Sequence, residues 1–129
     1  MTLHLSVEQL LQIHQALIAK FGGGGGLRDR GGLAAAAARP AMTFGGEDLY
    51  LDEAAKAAAL MHSLVMNHSF VDGNKRVGAA AAELFLILND YRLLATDAEF
   101  ESVTLSIARG ELDAERLAIW FRQRISRRD

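Results

Sequence analysis

Asn74-Lys75-Arg76-Val77-Gly78-Ala79-Ala80-Ala81-Ala82-Glu83-Leu84-Phe85-Leu86-Ile87-Leu88-Asn89 is the stretch that decides the fold. From Val77 to Leu88 only Glu83 interrupts the apolar run, and its 12 residues fall short of the roughly 20 needed to cross a bilayer. A helix this apolar on every side has almost no face to turn to water, so it belongs in the middle of a helical bundle.

The flanking sequence supplies the other helices of that bundle. Ser6 with Gln9 makes a capping box for a first helix from about residue 7 to 21, where Leu10, Leu11, His14, Leu17, Ile18 and Phe21 recur at helical spacing. The glycine run 22–26 stops it and reads as a flexible connector. Leu33 to Arg39 is alanine-rich and predicts a short helix ended by Pro40, the only proline. Residues 41–50 hold Gly45 and Gly46 without helical period and predict an extended flap or a surface loop. Asp52 caps a third helix that ends near His68, and the fourth starts around Asn74. Thr96 with Glu99 opens a fifth that ends before Gly110. Asp113 opens a sixth, with Leu117, Trp120, Phe121 and Ile125 inward and Arg116, Arg122, Arg124, Arg127 and Arg128 elsewhere. No β alternation stands out, and the expected fold is all-α, one domain over residues 1–129 with about six helices around a buried central one.

Composition removes several functions. The 14 Lys+Arg and 16 Asp+Glu leave a net charge of -2, too balanced for a protein that coats nucleic acid or an anionic membrane, and neither is expected as a partner. With no cysteine, disulfide scaffolds, thiol nucleophiles and Cys-based zinc sites are excluded together. The start of the chain lacks the basic segment and apolar core of a signal peptide, and a cytoplasmic protein is expected.

Chemistry concentrates in His68-Ser69-Phe70-Val71-Asp72-Gly73-Asn74-Lys75-Arg76, between the third helix and the apolar fourth. A helix N-terminus carries unpaired amides and partial positive charge, which suits an anion such as phosphate. Gly73 allows close approach to the backbone, the Asn74 amide can donate to an oxygen, and Lys75 and Arg76 add positive charge. His68 can take a proton near neutral pH, and Asp72 can hold Mg²⁺ or orient a partner. Read singly, these are a helix-end histidine, turn residues and a solvated basic pair; only the combination points to a site. His14, on the apolar face of the first helix, reads as a hydrogen-bonded core residue, and Arg28-Asp29-Arg30 as a solvent-facing loop.

These nine residues resemble the Fic/Doc motif at every specified position: His, any, Phe, any, Asp or Glu, Gly or Ala, Asn, Gly or Lys, Arg. Phe21-Gly22-Gly23, Gly26-Leu27-Arg28-Asp29, Arg39-Pro40, Lys56-Ala57 and Asn89 resemble further landmarks of the death-on-curing (Doc) branch, so the resemblance spans roughly residues 5 to 125. It implies His68 as general base toward a protein hydroxyl and Phe70 as the anchor of the loop. Asp72 is then the metal or nucleotide holder, and Gly73, Asn74, Lys75 and Arg76 bind the phosphates. Nucleotidyl-transferring Fic proteins commonly carry a second glycine where Lys75 stands and a second arginine where Ala79 stands, and a lost guanidinium clamp is not replaced by a lysine. Both departures resemble the Doc branch. That likeness implies the toxin of a type II toxin–antitoxin system, a kinase that binds ATP or another nucleoside triphosphate with Mg²⁺. Its acceptor would be a threonine of elongation factor Tu, with arrest of translation as the outcome. The alternatives are a Fic-type nucleotidyltransferase (AMPylase) and a catalytically silent binding protein. The resemblance also implies a cognate antitoxin whose C-terminal segment folds into a groove, expected along the first helix and residues 41–50.

Overall fold

The computed structural model describes residues 1–128. Six helices follow in order: α1 (Val7–Phe21), α2 (Arg30–Ala38), α3 (Glu53–Met66), α4 (Asn74–Leu88), α5 (Asp97–Ala108) and α6 (Ala114–Arg122). A 3-10 turn over Arg39–Ala41 follows α2 and carries Pro40 where its missing N–H costs nothing. The side chains of Ser6, Asp52, Thr96 and Asp113 cap α1, α3, α5 and α6 as the sequence predicts, with complete capping boxes at Ser6/Gln9 and Thr96/Glu99. Helix α2 starts earlier than its alanines suggest, because Asp29 accepts a hydrogen bond from the Gly32 amide and opens the helix at Arg30. Among the described residues no helix is long and apolar enough to cross a membrane.

The bundle is all-α in its core, yet four short strands decorate it. Strands β1 (Thr43–Phe44) and β2 (Glu47–Asp48) make an extended, exposed hairpin of residues 43–48, none of which lines the cleft described below. Its two loop residues, Gly45 and Gly46, have φ of 60° and 83°, the left-handed pair that a two-residue hairpin requires. Strands β3 (Tyr91–Leu93) and β4 (Ile125–Arg127) pair antiparallel near the end of the chain. This corrects the sixth helix: it stops at Arg122, and Ile125 leaves its inner face to pair with Leu93. The apolar period continues past the cap, but the hydrogen-bond partner lies some thirty residues upstream, outside any local signal.

Burial also redistributes the centre. Ten residues of α3 are buried against six of α4, whose Ile87 and Leu88 remain exposed, so α3 is the more enclosed helix. Its alanines allow close approach from α4, α5, α6 and α2. Gly78 of α4 marks the tightest crossing, where a Cβ would stand 2.7 Å from Val65 Cγ2 and 3.3 Å from the Met61 carbonyl.

Asp52 joins the first turn of α3 to α6. Its carboxylate accepts from the Ala55 amide and, in two contacts of 2.8 and 3.1 Å, from the Arg122 guanidinium. The Arg122 hydrogen bonds hold its pKa below the ordinary 3.8, with the Ala55 amide helping and partial burial opposing. A carboxylate depressed in the folded state contributes stability that is present above its unfolded value and lost as pH falls through the folded one. Asp52→Asn is therefore expected to lower the melting temperature at neutral pH, with the gap to wild type closing as pH drops well below 3.8. An equal gap at both pH values in thermal melts would show that the pair contributes nothing through charge.

Candidate active site

The loop between α3 and α4 is built from its backbone upward. After the Asn67 cap, His68 takes a left-handed conformation (φ 49°), and its carbonyl accepts two hydrogen bonds from Arg28, 3.1 Å from Nε and 2.8 Å from Nη2. Phe70 is buried and stacks on the ring of His14 at a centroid distance of 3.8 Å. Asn74 closes the loop: its Oδ1 accepts from the Phe70 amide, and its Nδ2 donates to the Phe70 carbonyl, both at 3.0 Å. The Asn74 carboxamide thus ties the loop with its oxygen and one N–H, and its second N–H has no partner among the described residues.

Gly73 precedes α4 with φ 84° and ψ 12°. A Cβ there would face Ile18 and His14 at 3.6 Å or more, which is ordinary contact, so within the protein it is the left-handed backbone that calls for glycine. Asp72 Oδ1 accepts the Gly73 amide at 2.8 Å. Its carbonyl is 2.9 Å from His14 Nε2, which must therefore carry the proton and donate. His14 is the hydrogen-bonded core histidine that its position suggests, and the group it holds is the motif loop.

No side chain caps α4, so its first amides stay available at the positive end of the helix. They open on a cleft of about 530 Å³ lined by Asp72, Gly73, Asn74, Lys75, Arg76 and Ala79 on one wall. The other wall is α5, with Asp97, Phe100, Glu101 and Thr104. Neither Lys75 nor Arg76 has a carboxylate partner among the described residues. The Arg76 guanidinium carbon lies 4.4 Å from the centre of the Phe21 ring, a contact that leaves its N–H groups unspent. His68 is exposed at the other end of the loop and does not line the cleft, so Asp72 to Arg76 are brought together and His68 stands to one side. Among the described residues no group of three or more His, Cys, Asp or Glu gathers to hold a metal ion. A Mg²⁺ held mostly by phosphate oxygens and water asks for only one carboxylate, and Asp72 Oδ2, free of hydrogen bonds among the described residues, fits that demand.

Two participants were not legible as such. Arg28 reads as a solvated loop residue and instead ties down the His68 carbonyl. The α5 wall carried a usable signal, since Asp97, Glu101 and Thr104 follow at helical spacing, but nothing local places that face against α4. A second, smaller cleft of about 340 Å³ runs along α1, lined by Leu11, His14, Gln15 and Ile18 with Gly25, Leu27 and Phe70. Residues 41–50, expected to share a groove with α1, do not line it.

Residues 4–86 match the Fic/DOC family. The chain belongs to that family. It is 52% identical over 75 residues to the protein called Toxin Doc of Mycolicibacterium smegmatis, a match that covers 58% of this chain and 58% of that protein's length. Similarity to the Protein kinase doc of Escherichia phage P1 is lower, 29% over 120 residues, and spans 93% of this chain and 94% of that protein. Both likenesses place this Fic/DOC chain in the Doc branch.

Proposed function

We propose that this chain, read as one Fic/DOC domain over residues 1–129, is the toxin of a type II toxin–antitoxin pair and acts in the cytoplasm as a protein kinase. It would move the γ-phosphate of ATP to a threonine hydroxyl of elongation factor Tu and so arrest translation. One observation carries this reading: the uncapped N-terminus of α4, with Lys75 and Arg76 in no ion pair among the described residues, opens on a cleft whose position 79 is alanine. Phosphates find backbone amides and two cations there, while the second guanidinium that would clamp an α-phosphate for nucleotidyl transfer is missing.

Each residue then has a part. The first α4 amides, Lys75 and Arg76 bind and orient the phosphates, and Gly73 supplies the turn that aims them. A Mg²⁺ held at Asp72 with phosphate oxygens would supply charge neutralisation. His68 Nδ1 or Nε2 accepts the threonine proton as the hydroxyl oxygen bonds to the γ-phosphorus, and the bond to the β-phosphate oxygen breaks to leave the nucleoside diphosphate. Because His68 lies outside the cleft, the acceptor segment reaches it from the solvent side. The cleft along α1 is a fitting place for the C-terminal segment of the antitoxin.

The test uses purified protein, Mg²⁺ and elongation factor Tu, with ATP labelled at the α- or the γ-phosphate. Label from the γ-position alone is the expected result. Label from the α-position would establish nucleotidyl transfer instead, and label from neither, alongside toxicity that survives His68→Ala, would leave a binding protein.

A further inference from the structure

The glycine run 22–26 reads in the sequence as a connector, yet its backbone is registered on the motif loop. The Val71 amide donates to the Gly26 carbonyl at 2.9 Å, Leu27 bridges Phe70, and the amides of Arg28 and Asp29 donate to the Ser69 carbonyl at 2.8 and 2.9 Å. Three of the five glycines are thereby laid on side chains. A Cβ at Gly26 would stand 3.0 Å from Val71 Cγ2, one at Gly24 3.2 Å from Val71 Cγ1, and one at Gly23 only 2.6 Å from Asp72 Oδ2. Gly22 and Gly25 would meet nothing within 4 Å.

Gly23 differs from the others in what it would strike. The atom is the carboxylate oxygen that carries no hydrogen bond among the described residues, while its twin, Oδ1, is fastened to the Gly73 amide at 2.8 Å. An aspartate relieves such a collision by turning about its side-chain torsions, which costs little energy. The contact part of the cost of a side chain at position 23 therefore falls on the direction of Asp72, while the strain of φ +113° falls separately on the backbone.

We propose that Gly23 is a positioning residue for Asp72: its missing side chain leaves the space in which the carboxylate rests, with Oδ1 on the Gly73 amide and Oδ2 free for a cation. This rests on the reading of Asp72 as the group that holds the divalent ion beside the phosphates. It also gives a chemical reason for glycine at position 23 beyond its left-handed backbone.

Three variants separate contact from strain. Gly23→Ala introduces both, since φ there is +113°; Gly22→Ala, with φ +82° and open space, introduces strain alone; Gly25→Ala introduces neither. The first readout is the Gly73 amide resonance of the free protein, which reports the Asp72 Oδ1 hydrogen bond without any nucleotide. The second is calorimetric affinity for a non-hydrolysable ATP analogue with and without Mg²⁺. Gly23→Ala should move the Gly73 resonance far more than Gly22→Ala does. It should also cut the gain in affinity that Mg²⁺ brings by about tenfold or more, as loss of a ligand-orienting neighbour does. Affinity without Mg²⁺ should stay near wild type. A Gly73 resonance that moves equally in Gly22→Ala and Gly23→Ala would overturn the proposal, as would an equal Mg²⁺ gain in the two. Should the wild-type protein bind no nucleotide, the reading of the cleft fails, and the Gly73 resonance still decides the contact. If Gly23→Ala does not fold, the Gly23→Ala/Asp72→Ala double variant decides: a native amide spectrum there supports the contact, and continued failure to fold overturns it.

Discussion

If the proposed kinase reading holds, replacing His68 with alanine is expected to lower phosphoryl transfer by about 100- to 10,000-fold, the usual contribution of a positioned general base, and to abolish growth arrest in cells. The protein should stay folded, because the imidazole is exposed and has no hydrogen-bond partner among the described residues; the contacts at this position belong to its carbonyl, held by Arg28. One effect of the change must be separated out, namely the left-handed backbone (φ 49°), which alanine tolerates less well than histidine. Asparagine accepts that conformation and cannot act as a base, so His68→Asn should be as inactive as His68→Ala and melt like wild type. Transfer that survives in both variants at near wild-type rate would remove His68 from the chemistry and favour a protein that acts by binding alone.

Asn74→Ala should produce the largest loss of stability within the motif. Phe70 is buried, and its amide and carbonyl both have the Asn74 carboxamide as partner at 3.0 Å. Truncation leaves the amide and the carbonyl of a buried residue without their partner, a cost of about 2 to 4 kcal/mol for the pair where water does not replace the carboxamide. Aspartate is no remedy. One of its oxygens can accept from the Phe70 amide, but the other then faces the Phe70 carbonyl without a proton between them. Asn74→Asp is thus expected to stay well below wild type in urea denaturation, and both variants to lose transfer because the amides of α4 and the His68 end of the loop are no longer held in register. An unfolding free energy for Asn74→Ala within about 0.5 kcal/mol of wild type would mean that the loop is closed by something other than this side chain.

The two variants probe different kinds of legibility. The part proposed for His68 is read from a linear motif, because residue types at short spacing on a loop before a helix keep their neighbours whatever the rest of the chain does. The work of Asn74 is not visible there. Its amide reads as a phosphate donor or as an ordinary turn residue, and only the position of Phe70, set by packing against His14, shows that it ties the loop. Arg28 and Gly23 repeat the pattern, since each acts on the motif loop from some 40 to 50 residues away in the chain. A similar distance explains the end of α6, where Ile125 continues the helical period and yet pairs with Leu93.

By itself the sequence determined the helix starts at Ser6, Asp52, Thr96 and Asp113, the all-α class, and the residue types of the loop 68–76. These are local properties, carried by caps, periodicity and spacing within a few turns. Tertiary structure alone decided which helix is most enclosed, that α5 faces α4 across the cleft, and that α1, the glycine run and Arg28 hold the loop. Those outcomes depend on how surfaces far apart in the chain fit one another, and no local signal encodes the complementarity of two faces before they meet.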